Sequence, residues 1–295
     1  MLAIAAYWCI SNYPDTVSWL SDKERSFIQD RLRADSDAMH DEKFRWSDVL
    51  AAFKDIKCWL YGFSYYTMSL PLYTLSLFLV RTQPNFHSWA LTNRQPTIIK
   101  DMGYTSAQSQ LFSIPPYAFA TTFTVLWAVL SEKFHRRAAF IMTTSSLSII
   151  GYIILLTNEH PSKRPGVSYL GTFFAAGGIY PSAALILSWP AINVSGQTKR
   201  AAANGLQVTI GNFGAILGTQ LYRPKTAPRY ILGHSFALGY MCMNLVVVGS
   251  LWLVLARENR KKQEFLARHP ETNGFYDSEE DLKQGDRHPR WVFNV

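Results

Sequence analysis

The sequence is poor in what soluble catalysts use. It has three cysteines, Cys9, Cys58 and Cys242, far apart and at no metal-ligand spacing. That excludes a disulfide framework and a zinc cluster on spacing grounds. No phosphate-cradling glycine loop and no nucleophile–base pairing stands out, so an enzyme is not expected, and neither a cofactor nor a metal is called for. The more telling shortage is charge. Six stretches contain no Asp, Glu, Lys, Arg or His: residues 58–79, 110–130, 138–157, the two runs within Tyr169–Tyr222 that flank the turn Gln197–Arg200, and 235–256. Each is about 20 residues, the length of a helix across the hydrocarbon core of a bilayer. Proton-coupled and anion carriers often hold an intramembrane acid, histidine or cation. None lies in these stretches, so recognition of charge within them falls to helix dipoles, to residues at their ends, or to another part of a larger protein.

What charge there is lies between the runs. Lys and Arg number 29 against 21 acids, a net charge of +8. The basic residues form no concentrated patch, so nucleic acid is not a predicted partner and membrane lipid is. With six spans, 21 of the 29 basic residues fall on one side and 8 on the other, which puts the richer side in the cytoplasm. The sequon Asn193-Val194-Ser195 then lies at the cytoplasmic end of the fourth span, where no glycan is added. Mean hydropathy is near zero only because long apolar runs and charged ends average out.

The fifth run carries a finer pattern. Asn204, Gln207, Gly211, Gly214 and Gly218 are spaced 3, 4, 3, 4 and share one helical face, with Leu206, Ile210, Phe213 and Leu217 on another. The apolar face is expected toward lipid. The small and amide face needs a protein neighbour or a water-filled path. Two readings stay open: Asn204 and Gln207 line a cavity, or the amides bond across a close contact that Gly211, Gly214 and Gly218 allow. The fourth run holds Gly177-Gly178, Tyr180-Pro181 and Trp189-Pro190. Proline kinks a membrane helix and frees carbonyls that need partners, so Tyr180 joins the candidates for a substrate path. So do Tyr66 and Tyr73 in the first span, seven residues apart beside Pro71.

These residues also carry a resemblance. Gly177, Gly178, Tyr180, Pro181, Ser188 and Trp189, then Asn193, Gly196, Thr198, Lys199, Arg200 and Ala201, then Gly211, Asn212, Gly214, Gly218, Leu221 and Tyr222 resemble the fungal allantoate permease-like branch of the major facilitator superfamily. The resemblance covers residues of about 10 to 260. It implies an all-α integral membrane protein whose six transmembrane helices are the C-terminal half of a twelve-helix facilitator. It implies a proton-coupled symporter of small organic anions such as allantoate or nicotinate, multi-pass in the plasma membrane, with a missing N-terminal half as partner. A non-transporting membrane protein (a receptor or a decayed half-transporter) and a six-helix channel are the alternatives.

In chain order, residues 1–14 read as the remnant of a membrane helix ending before Pro14-Asp15-Thr16. Residues 15–57 read as a cytoplasmic linker. Ser21 and Glu24 form a capping box there, and Trp46, Val49, Leu50 and Phe53 form the apolar side of an amphipathic helix that suits a membrane surface. Residues 58–256 form the six-helix domain. Within it Val80–Gln95 has no helical stripe and reads as an insertion or a retained intron: valine codons begin with GT, some glutamine codons end in AG, and the flanks join directly in the resembling family. Residues 257–295 are charged and read as a mostly disordered cytoplasmic tail.

Overall fold

A computed structural model describes residues 19–35, 44–80, 106–160, 163–221, 229–269 and 284–295. The expected remnant at 1–14 and the insertion at 80–95, apart from Val80, lie outside these residues. Among them the chain is all helical: α1 (Asp22–Asp35), α2 (Trp46–Lys54), α3 (Ile56–Val80), α4 (Ser106–Phe134), α5 (Arg137–Thr157), α6 (Pro165–Asn193), α7 (Gln197–Leu221) and α8 (Ile231–Arg268), followed by a 3₁₀ turn at Gly285–Arg287. The capping box starts α1. The Ser21 amide donates to the Glu24 carboxylate at 3.0 Å and the Glu24 amide to the Ser21 hydroxyl at 3.4 Å. The Ser21 hydroxyl, which donates to the Glu24 carboxylate at 2.7 Å, and then the Ser21 amide hold that carboxyl below its ordinary range.

Among the described residues four helices, α4 from Leu111, α5, α6 and α8, are long and apolar enough to cross a membrane, against the six expected. The other two, α3 and α7, have 25 residues each, about 37 Å at 1.5 Å per residue. They have the length, and both carry polar and small residues along it. α3 and α7 pack on each other, α5 on α6, α4 on α6, and α8 on both α5 and α3. Ser64, Thr67, Ser69 and Thr74 of α3 are buried, as is Gln207 of α7. The polarity that lowers their hydropathy is spent inside the bundle.

Glycine sets the closest approaches. A Cβ on Gly214 would meet the Tyr66 carbonyl at 2.5 Å, one on Gly218 the Leu70 carbonyl at 3.2 Å, and one on Gly211 would overlap the Tyr65 ring. The three glycines of α7 therefore form the seam with α3, and the packing reading of that face is the one the geometry has. The opposite assignment holds only in part. Phe213 and Leu217 face outward, but Ile210 is half-buried against Gly62 and Leu206 is buried. α2 and α3 both pack on α7.

Within the described residues the expectation of a disordered tail from 257 does not hold. α8 continues to Arg268, and residues 284–295 fold back onto the bundle. Its apolar residues Trp291, Val292 and Phe293, unusual in so charged a segment, were the available signal.

Gly214→Leu should lower the midpoint of thermal unfolding in detergent clearly, by a loss of roughly 1–3 kcal/mol from overpacking. Phe213→Leu, on the outward face, should leave it unchanged within error. Size-exclusion chromatography after a temperature series reads both, and equal melting of the two would place the glycine face at lipid.

Candidate functional site

The site is built from four helices whose side chains leave polar groups on one partly open side. On α3, Tyr73 is 37% exposed and its hydroxyl donates to Asn212 Oδ1 on α7 at 3.4 Å. One turn further, the Ser76 hydroxyl lies 3.0 Å from the Tyr180 hydroxyl on α6. The Tyr180 ring sits 5.7 Å from that of Tyr117 on α4. On α7, Asn204, Val208, Asn212 and Ala215 recur at spacings of 4, 4 and 3 beside the glycine seam, and all are half-buried or exposed. The side-chain oxygen of Asn204 is buried and accepts no hydrogen bond among the described residues.

The five sequence-predicted candidates therefore separate. Tyr73 and Tyr180 reach this side through Asn212 and Ser76. Asn204 stands at its edge with an unused acceptor. Tyr66 does not join them: its hydroxyl lies 3.0 Å from that of Tyr240 on α8. Gln207 is 1% exposed, and its amide donates to the Ile186 carbonyl of α6 at 2.8 Å. It is a cross-helix brace, the second of the two readings left open, and its side-chain oxygen, like that of Asn204, is buried and accepts no hydrogen bond among the described residues. A long side chain at 207 reaches a carbonyl on α6 before it reaches any path. Asn212, Ser76 and Tyr117 were missed. Asn212 could have been found from the 204–208–212 spacing. Ser76 and Tyr117 carry no sequence signal, because their role depends on which helices meet.

A polar knot supports this side from behind. Asn244 of α8 is fully buried. Its amide donates to the Ser64 carbonyl at 2.9 Å and the Thr67 hydroxyl at 2.8 Å on α3, and its oxygen accepts from Ser145 of α5 at 3.0 Å. Thr144 and Ser182 extend the knot to α6 with a hydroxyl pair at 2.6 Å.

At the end of the bundle where α3 and α7 begin and α6 finishes, the C-terminal segment docks. Lys199 of α7 binds Asp286 at 2.7 Å and Asp55 at 3.1 Å. Burial lowers the Lys199 pKa, but these two carboxylates outweigh it and the net shift is upward. Lys57 pairs with Glu258 at 2.9 Å. The Phe293 ring lies between the Lys57 and Lys262 ammonium groups, 4.5 and 4.3 Å from its centroid. Trp189 Nε1 and Asn193 Nδ2 both donate to the Asn294 carbonyl at 2.9 Å, and the Asn294 amide donates back to Asn193 at 2.7 Å. Asn193 is thus the socket for the terminus, and its sequon amide is fully engaged. Lys262 is pushed down to about 8, first by burial and then by the charge of Lys57. Its charged form is resisted in the docked state, a cost that fades as pH rises from about 8 toward the ordinary lysine value of about 10.4.

The helical bundle and its long apolar helices are those of a multi-pass membrane protein. The chain matches the Sugar (and other) transporter family over residues 1–265, and it belongs to that family. It is 32% identical over 269 residues to the MFS-type transporter cnsO of Penicillium expansum, covering 88% of this chain and 49% of that one. It is 29% identical over 252 residues to the high-affinity nicotinic acid transporter of Saccharomyces cerevisiae, covering 85% and 43%. It is 24% identical over 298 residues to the major facilitator-type transporter hxnP of Emericella nidulans, covering 99% and 55%. The chain spans about half the length of these relatives. No solved structure matches it.

Lys199→Met should release the terminus, because it leaves Asp286 buried without its cation, while Asp55 keeps Lys57 at 3.7 Å, at a cost of about 3–5 kcal/mol. Hydrogen exchange across 284–295 should accelerate strongly. Lys261→Met, at an exposed position on α8, should leave it unchanged.

Proposed function

We propose that the chain is one half of a proton-coupled secondary carrier of small organic anions, carboxylates such as allantoate or nicotinate, in the plasma membrane. The observation that carries this reading is the partly open line of neutral hydroxyls and amides, Tyr73 with Asn212 and Ser76 with Tyr180. It lies in helices whose spans contain no charged side chain. Hydroxyl and amide donors address carboxylate oxygens with enough strength to orient the ligand and too little to trap it. The ligand's charge is then met outside this half. A facilitator binds substrate near the bilayer midplane between two repeats, and a chain about half the length of its relatives supplies one such wall. The name of the yeast relative supports a carboxylate ligand, and the resemblance at Gly177–Tyr222 supports the allantoate permease-like branch. The end that carries α1, α2 and the docked terminus is cytoplasmic in this reading, because most of the basic residues lie there.

The test is uptake of labelled nicotinate and allantoate by cells expressing the chain alone, and together with the first half of the yeast nicotinic acid transporter. Saturable uptake that needs both halves and grows with external acidity is the expected result. Within the reconstituted pair, Tyr180→Phe and Asn212→Ala should each raise KM by about 5–10-fold, the worth of one hydrogen bond of roughly 1–1.5 kcal/mol. Saturable uptake by the lone chain as a monomer overturns the half-carrier reading. Ligand binding without flux in the pair favours a receptor.

A further inference from the structure

We propose that α2 is a membrane foot: its outward apolar stripe lies in the headgroup–acyl boundary of the bilayer, with lipid as its partner. One side of α2 is already occupied. Ala52 is fully buried, and the helix packs on α7. The other side presents Trp46, Leu50 and Phe53, which are 72%, 56% and 47% exposed. They recur at spacings of 4 and 3, so they form one face. Phe44 stands edge-on to Trp46, with ring centroids 5.2 Å apart.

The stripe does not stop at the end of α2. Ile56, Trp59 and Phe63, also exposed, carry it onto the outward surface of α3. The corner between the two helices is fixed, because Trp59 Nε1 donates to the Phe53 carbonyl at 2.8 Å. This continuity chooses lipid over a protein partner. A protein that covered Trp46, Leu50 and Phe53 would have to follow the stripe onto a helix that enters the bilayer. The flanks agree. Arg45, paired with Asp48 at 3.2 Å, and the exposed Lys54 stand beside the stripe rather than within it. From there their long stems reach headgroup phosphates while the apolar side chains sink below. Tryptophan at such a boundary has an apolar body for the acyl side and an N–H for the wet side. Because α2 holds α7, the foot also sets the depth of the helix that carries Asn204 and Asn212.

The experiment uses the full chain in lipid nanodiscs, with its three native cysteines replaced by alanine and single spin labels placed at residues 46, 50 and 53, and at 47 and 54 on the flank. Collision with oxygen, which partitions into lipid, is compared with collision with a water-soluble nickel chelate. The expected result is oxygen-dominated collision at 46, 50 and 53 and nickel-dominated collision at 47 and 54. Nickel-dominated collision at all five positions would show a solvated helix and overturn the proposal. Protection of 46, 50 and 53 from both reagents would show a protein cover and overturn it equally. As a second readout, Leu50→Glu/Phe53→Glu should leave the protein monodisperse but speed amide exchange over 44–56 by about tenfold or more. Unchanged exchange would also overturn the foot.

Discussion

Lipid offers helices no hydrophobic reason to associate, so this bundle depends on how closely its backbones approach. Along the α3–α7 seam, Gly211, Gly214 and Gly218 leave no room for a Cβ. The Ser69 hydroxyl uses that closeness to reach the Gly211 carbonyl at 2.5 Å. The same device recurs elsewhere. A Cβ on Gly178 of α6 would strike the α5 backbone, and one on Gly151 of α5 would meet Gly171 and Ala175 of α6. Dispersion and short hydrogen bonds replace the hydrophobic drive, and both fall off steeply with distance. One enlarged residue on a seam therefore costs several contacts at once.

Close approach also decides where polarity can live. Asn244 can sit fully buried in a membrane helix because Ser64, Thr67 and Ser145 are within reach on two neighbours. Gln207 can do so because the Ile186 carbonyl is near. Neutral groups suffice for this, and a charge at the same depth would need a paired partner. The ionic groups are accordingly collected at the helix ends. Lys57, Lys199, Asp55, Glu258 and Asp286 meet there, and the C-terminal segment shields them from water. A buried pair such as Lys199–Asp286 adds little net stability once desolvation is counted. What it fixes is register: it specifies where the terminus docks, and the Asn193–Asn294 bonds and the Phe293 ring then supply the contacts.

Length and charge-free runs were enough to read the helices of the membrane domain from the sequence, and the 3, 4, 3, 4 spacing found the glycine seam. The facing of individual side chains was less legible. Leu206 looks lipid-facing by periodicity, but periodicity describes one helix and cannot see α2 and α3 packed beside it. Gln207 shares a face with Gly211 and reaches the Tyr61 carbonyl of α3 at 3.5 Å, yet its side chain is long enough to make its shorter bond, 2.8 Å, to Ile186 of α6. Tyr66 and Tyr73 share a stripe, yet one reaches α8 and the other α7. Missing charge gave six apolar spans, and among the described residues four helices are long and apolar enough to cross, while α3 and α7 bury hydroxyls and amides inside the bundle. The docked terminus was masked by the acidic segment before it, although Trp291-Val292-Phe293 has the composition of a contact rather than of a solvated tail.

The two sides of the bundle differ in how fully their polar groups are spent. Behind, the donors and acceptors of Asn244, Thr144, Ser145 and Ser182 are used among α3, α5, α6 and α8. In front, Tyr73 holds Asn212 at a long 3.4 Å, Asn204 keeps an unused oxygen, and the Ser76–Tyr180 pair leaves capacity over because each hydroxyl can accept again. A bilayer would penalise that spare capacity, as each unsatisfied group there costs free energy. A front that is polar, neutral and under-bonded is therefore stable only against something that is itself polar. A second helical wall with water and a small hydrogen-bonding ligand between meets that condition, and acyl chains do not.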